Sequence, residues 1–265
     1  MTKKPKSLRH LDDAIRRVCG SSPEEYVRTR TLMANAIVAQ MLPDGVVKGG
    51  SAIKMRFGNT TTRFTTDLDT ATASDPAVYV EKLGIALARG WEGFTGRVVA
   101  RDPAQPKDVP SEYVMQPFDI KLSYNGKPWC TVPLEVGHNE VGDTVEIDWI
   151  RLTDAEKIFS KLGFPALGMA PLMPLAHQVA QKLHVLTGAD DRIRDLLTYS
   201  LLSRMPSLTS MQSVAYVRGC LHTERNKRGL QVLKGDPVGM SCMPSLLHNC
   251  LSSATSTKLS PGQTI

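Results

Sequence analysis

KGGSAIKMRFG (48–58), followed at short range by RFTTDLD (63–69), is the stretch that decides the fold. Val46 and Val47 read as a short buried strand running into the glycine pair, and residues 52–57 read as a helix leaving it. A polar, Thr-rich turn over 59–62 follows. In 63–69, Phe64, Thr66 and Leu68 alternate with Thr65, Asp67 and Asp69, the period of a strand. On that reading Asp67 and Asp69 point to one face, about 7 Å apart along the chain. The order strand, glycine turn, helix, strand is the beginning of an α/β (α+β) domain.

The same stretch carries the chemistry. Phosphates need close backbone approach and N–H donors, which a glycine pair opening a helix supplies. Two carboxylates on one strand can share a pair of Mg²⁺ ions, the arrangement used for in-line displacement at phosphorus. A Gly-Gly turn or an Asp-x-Asp pair alone is common. Together, in this order and sixteen residues apart counted from Ser51 to Asp67, they point to a nucleotide-handling site.

Working outward toward the N-terminus, Leu8, Leu11, Ile15 and Val18 fall on one helical stripe. Ser22 before Pro23, Glu24 and Glu25 is an N-cap signal for a second helix running to about Met41, where Pro43-Asp44-Gly45 ends it. Toward the C-terminus, 76–90 reads as a helix. Residues 118–124 and 129–136 read as two strands around Asn125-Gly126, with Phe118, Ile120, Leu122, Tyr124 and Val132, Leu134, Val136 as their apolar faces. A two-residue turn would set even positions opposite odd ones. A three-residue loop over 125–127 aligns even with even. Asp119, Lys121 and Glu135 then share the polar face.

Three prolines around 164–174 place a junction there. Leu175, Val179, Leu183 and Leu186 give a further helical stripe, and Ile193, Leu196, Leu197 and Leu201 another. The expected organisation is a catalytic domain over 1–165, a helical domain over 166–205 and an uncertain helical or loose tail over 206–265.

Length, composition and charge bound the rest. The 265 residues, with 42% hydrophobic content, are enough for a sizeable core and exclude wholesale disorder. No apolar run reaches the roughly 18 residues of a membrane span, and the basic N-terminus has no apolar segment behind it, so a cytoplasmic protein is expected. Five scattered cysteines without a Cys-x-x-Cys pair indicate neither a zinc site nor a disulfide framework. The formal charge of +6 is uneven: residues 1–30 carry eight basic and four acidic groups, 31–165 carry fourteen and seventeen, and 166–265 carry ten and five. Basic ends around an acidic middle suit a polyanionic partner and a metal-binding centre.

The order Gly-Gly-Ser, then Asp-x-Asp, resembles the nucleotidyltransferase superfamily of DNA polymerase β. KGGSAIKMRFG, RFTTDLD, IKLSYNGKPW with PLEVG (120–137), HQVAQKLHVL (177–186) and RIRDLL (192–197) together resemble the AbiEii-type nucleotidyltransferase toxins over roughly 25–203. That branch includes enzymes that add nucleotides to tRNA 3′ ends.

The resemblance implies a mixed sheet with flanking helices plus a C-terminal helical domain. It implies that Gly49, Gly50 and Ser51 hold nucleotide phosphates, with Arg56 facing them. Asp67 and Asp69 would ligate Mg²⁺ in a two-metal site, with a third carboxylate from a neighbouring strand, Glu135 as the choice and Asp119 as the runner-up. Lys182 would neutralise triphosphate charge, and Asp195 would orient Lys182 or assist the metal site. It further implies an NTP substrate, an RNA acceptor such as the tRNA end, and a cognate antitoxin. Two alternatives remain at this point: transfer to a protein or small-molecule hydroxyl, and a nucleotide-binding pseudoenzyme. The chain departs from the family at Thr198, where a second Asp often follows the Arg-Asp-Leu motif, and in the tail after Pro206.

Overall fold

In the computed structural model the described residues are 3–20, 22–58, 65–103, 114–138 and 146–186, with the side chains of 180 and 182–186 left aside. The chain divides into two units, Met1–Gln178 and Val179–Ile265.

Three helices of the first unit start where the sequence supplies a side-chain cap. The Ser7 side chain accepts from the His10 N–H to open α1 (Leu8–Cys19), which buries Leu11 and Ile15. Ser22 caps α2 (Pro23–Ala39) by accepting from the Glu25 N–H, with proline in its first turn. β1 (Val46–Lys48) is buried throughout and passes directly into α3 (Gly49–Phe57), so the helix begins at the glycine pair rather than after it. β2 (Leu68–Thr72) follows, then α4 (Pro76–Arg89) under an Asp75 cap. β3 (Phe94–Ala100), β4 (Gln116–Tyr124) and β5 (Lys127–His138) come next. They are followed by β6 (Asp148–Ile150), α5 (Thr153–Lys161), β7 (Ala170–Leu172) and α6 (Leu175–Leu186).

The strands form one mixed sheet of seven, in the order β3-β4-β5-β2-β1-β7-β6. The β2–β5 and β1–β7 pairs are parallel and the remaining pairs antiparallel. β7 pairs with β1, so the stretch read as a proline-rich junction contributes a strand, and the sheet-bearing unit runs past residue 165.

The β4–β5 hairpin reaches its expected face alignment by a different route. It turns on Asn125-Gly126 alone, both with positive φ (46° and 75°), and Tyr124 lies opposite Lys127. The register then slips, because Ser123 faces Pro128 while Leu122 faces Cys130. Trp129 is thus the extra residue of a bulge. From there even residues face even ones, Ile120 against Val132 and Phe118 against Leu134. The bulge, not a three-residue loop, corrects the register.

Ile120, Leu122, Tyr124, Val132, Leu134 and Val136 face one continuous core with side chains from α1, α2, α4 and α5. Phe94 lies at its centre, with ring centroids at 4.6 Å from Tyr124, 5.2 Å from Trp129 and 5.5 Å from Phe164. Such pairs contribute about 0.5–1.5 kcal/mol each beyond their burial. The opposite, odd-numbered side of β4 and β5 carries Asp119, Lys121, Thr131 and Glu135. Among the described residues no helix is long and apolar enough to cross a membrane.

Candidate active site

The site is built where β1 gives way to α3. Lys48 is still extended, and Gly49 takes φ +66°. A Cβ on Gly49 would lie 1.9 Å from Asp69 Oδ2, so only glycine lets the turn and the carboxylate share this space. Gly50 is close-packed as well: a Cβ there would meet Thr65 Oγ1 at 2.9 Å.

Ser51 points inward and is 1% exposed. Its Oγ donates to the Asp67 carbonyl and accepts from Asn35 Nδ2 at 3.4 Å. The hydroxyl expected to hold phosphate instead ties α3 to the Asp67 segment and to α2. What the turn presents to an anion is the N-terminus of α3.

The strand expected over 63–69 begins only at Leu68. β1 ends at Lys48, where Gly49 turns away, so its pairing with β2 can start no earlier than Lys48 opposite Asp69. Asp67 precedes the ladder with its carbonyl bound by Ser51 and its Oδ1 accepting from Thr66 Oγ1 at 2.7 Å. Phe64 and Arg63 lie outside the described residues.

The register across three strands brings the charged groups together. Lys48 stands opposite Asp69 on β2, and Asp69 stands opposite Glu135 on β5. Neighbouring strands lie about 4.8 Å apart, so these side chains form one short row on one face. Asp119 lies one strand further out, opposite Pro133, and its carboxylate is taken by Lys121 at 2.8 Å and Arg101 at 3.8 Å. Of the two candidates for a third carboxylate, Glu135 is therefore the one in register with Asp69.

Lys48 was not among the residues singled out from sequence. It is 8% exposed, and its Nζ lies 3.0 Å from where a Cβ on Gly137 would stand. Glycine at 137 thus leaves room for the lysine to reach across β2 toward β5. A lysine ending an otherwise apolar, fully buried strand was the available signal.

Arg56 sits elsewhere than expected. Its Nη2 donates to Asp148 Oδ2 at 2.7 Å and to the Met173 carbonyl at 3.0 Å, binding α3 to β6 and to the end of β7. Lys182 lies in the part of α6 that belongs to the second unit. Its side chain, and Asp195 with the whole Arg-Asp-Leu motif, lie outside what the structure describes.

Among the described residues no group of three or more His, Cys, Asp and Glu gathers as a metal cage. The donor set still fits Mg²⁺, which binds through one or two carboxylates and completes its shell with water and substrate phosphates. Asp69 and Glu135 in register would supply those oxygens, and the α3 N-terminus beside them would receive the phosphates.

A family model described as nucleotidyl transferase AbiEii toxin, type IV toxin–antitoxin system, matches residues 30–197. No curated protein matches the chain. Among solved structures, the nucleotidyltransferase toxin MenT4 from Mycobacterium tuberculosis is similar at 14% identity and a TM-score of 0.57, over 93% of this chain and 90% of that one. A putative nucleotidyltransferase from Helicobacter pylori matches at 15% identity and a TM-score of 0.46, over 88% of this chain and 99% of that one. The family match spans more than half of the sequence and contains the glycine turn, the Asp67–Asp69 segment and Glu135; the chain belongs to the AbiEii family of nucleotidyltransferase toxins.

Proposed function

We propose that this nucleotidyltransferase uses Mg²⁺ to transfer a nucleoside monophosphate from an NTP to the 3′ end of an RNA, a tRNA acceptor end. The observation that carries the reading is the row Lys48–Asp69–Glu135, set against a glycine turn that a single added carbon would block. The N–H groups that open α3 receive the phosphates. Asp69 and Glu135, with Asp67 at the mouth of the strand, would hold the metal, which when bound supplies charge neutralisation at the α-phosphate and the departing pyrophosphate. The 3′ oxygen attacks the α-phosphorus, its proton leaves, and the bond to the β-phosphate oxygen breaks opposite it. Lys182 neutralises triphosphate charge, and Asp195 orients it or assists the metal site. Arg56 is assigned to its tie with Asp148 rather than to the nucleotide. The protein acts in the cytoplasm.

Family membership implies an NTP substrate and an antitoxin partner. The test is incubation with Mg²⁺, each labelled NTP in turn and total RNA or lysate, with Asp69→Ala as control. Label on tRNA that the control lacks supports the reading. Label on protein moves the acceptor to a protein hydroxyl, and label on neither, from any NTP, refutes transfer to both.

A further inference from the structure

The odd-numbered side of the sheet has a second charged feature, away from the carboxylates. Thr95, Arg97, Lys121, Ser123 and Thr131 line an open hollow of about 500 Å³. Arg97 on β3 stands directly opposite Lys121 on β4, and Lys121 directly opposite Thr131 on β5. Like charges at directly opposed sheet positions are unfavourable for the free protein. The arrangement is only partly relieved. Lys121 Nζ donates to Asp119 Oδ2 at 2.8 Å and to Thr131 Oγ1 at 3.2 Å, and Asp119 also lies 3.8 Å from Arg101. Arg97 is exposed and, among the described residues, has no ion pair. One carboxylate thus serves a neighbourhood holding Arg97, Arg101 and Lys121.

We propose that this hollow is a phosphate track for the acceptor RNA, a proposal that rests on RNA as the acceptor. Thr131 and Glu135 lie four residues apart on the same face of β5, about 13 Å along the strand. A backbone phosphate held between Arg97 and Lys121 therefore belongs to a nucleotide set back from the reacting 3′ end. The occupant is a strand rather than the NTP, whose phosphates the α3 turn receives. The contact is to backbone rather than bases. The one aromatic in the lining, Trp129, is 5% exposed and packs against Phe94, so it offers no stacking platform. Phosphate contacts of this kind add affinity without sequence preference and position the strand.

The test uses the full chain carrying Asp69→Asn, so that binding is read without turnover, and a 5′-fluorescein RNA hairpin with a single-stranded 3′ end. Arg97→Glu and Thr131→Glu are compared by anisotropy with the Asp69→Asn parent and with Arg89→Glu, an exposed change on α4. Both track variants should bind about five- to tenfold more weakly. Arg97→Glu should also reduce the salt dependence of binding by about one ion, with Arg89→Glu matching the parent. In an otherwise wild-type chain, Arg97→Glu should raise the RNA KM and leave the NTP KM unchanged. Parent-like affinity and salt slope in both track variants, with the parent binding RNA, overturn the track alone. An Asp69→Asn parent that does not bind RNA, together with a wild-type chain that does not label it, overturns the acceptor assignment and the track with it.

Discussion

Asp69 and Glu135 face each other across the parallel β2–β5 pair, and Lys48 closes the row from the other side of Asp69. Two carboxylates opposed in a sheet repel, and the buried lysine offsets that repulsion when no metal is bound. Lys48→Met is therefore expected to lower stability in EDTA by about 1 kcal/mol. Mg²⁺ should then raise the melting temperature of the variant more than that of the parent, because the ion replaces the missing charge. Thermal unfolding of both proteins with EDTA and with Mg²⁺ measures this. Equal Mg²⁺ shifts would mean that Lys48 and the metal do not share the row.

Gly49→Ala tests the close approach of the turn. The residue has φ +66°, and a Cβ would press on the Asp69 carboxylate. Backbone strain of this kind costs about 1–3 kcal/mol, and displacing Asp69 by an ångström or so disturbs the proposed metal ligand directly. The expected outcome is a folded but less stable protein with at least about 100-fold less label transfer. Gly84→Ala, at a helical position with open space around it, should leave label transfer near that of the parent and raise stability by about 0.5–1 kcal/mol.

The Arg56–Asp148 pair separates a structural tie from a nucleotide contact. Arg56 is 11% and Asp148 38% exposed at the side chain, so the pair is partly shielded from solvent. Arg56→Ala and Asp148→Ala should each destabilise the protein by about 1–3 kcal/mol, and the double variant by less than the sum. NTP KM should change little in either. A large KM increase confined to Arg56→Ala would return this arginine to the phosphates.

The parts of the fold legible in the sequence were those whose own residues specify them. α2 and α4 carry an N-cap followed by proline, and the apolar residues of β4, and of β5 beyond its bulge, recur at every second position. β3, β6, α5 and β7 went unread. β6 and β7 are three residues each, too short for any period, and Pro171 inside β7 resembled a linker until its pairing with β1 supplied the missing context. β3 holds Gly96 and Arg97 in its middle, which hides its alternation. At the site, the glycine turn and the carboxylates were visible as residue types. The inward direction of Ser51, the late start of β2 and the row through Lys48 were not, because each depends on which strand lies beside which. The Trp129 bulge shows the same limit, since face alignment was readable but two different local geometries satisfy it.

Lys54 links stability to pH. It lies on α3 three residues after Ser51 and is 2% exposed. Burial first, and then the positive charge of Arg28, pull its pKa down from 10.5 to about 8. Below about pH 8 the folded protein carries the full cost of a buried ammonium, and that cost does not vary with pH. Between about 8 and 10.5 the unfolded chain holds a proton that the folded one has released, so this residue makes stability rise with pH. Lys54→Met removes the titrating group and keeps most of the volume. The variant should be more stable than the parent at pH 7, with the difference shrinking through pH 9 and 10. Urea midpoints of the two proteins at each pH give the difference directly, free of the other lysines and tyrosines that titrate in both. A difference that stays constant from pH 7 to 10 would show that Lys54 keeps its ordinary pKa in the folded protein.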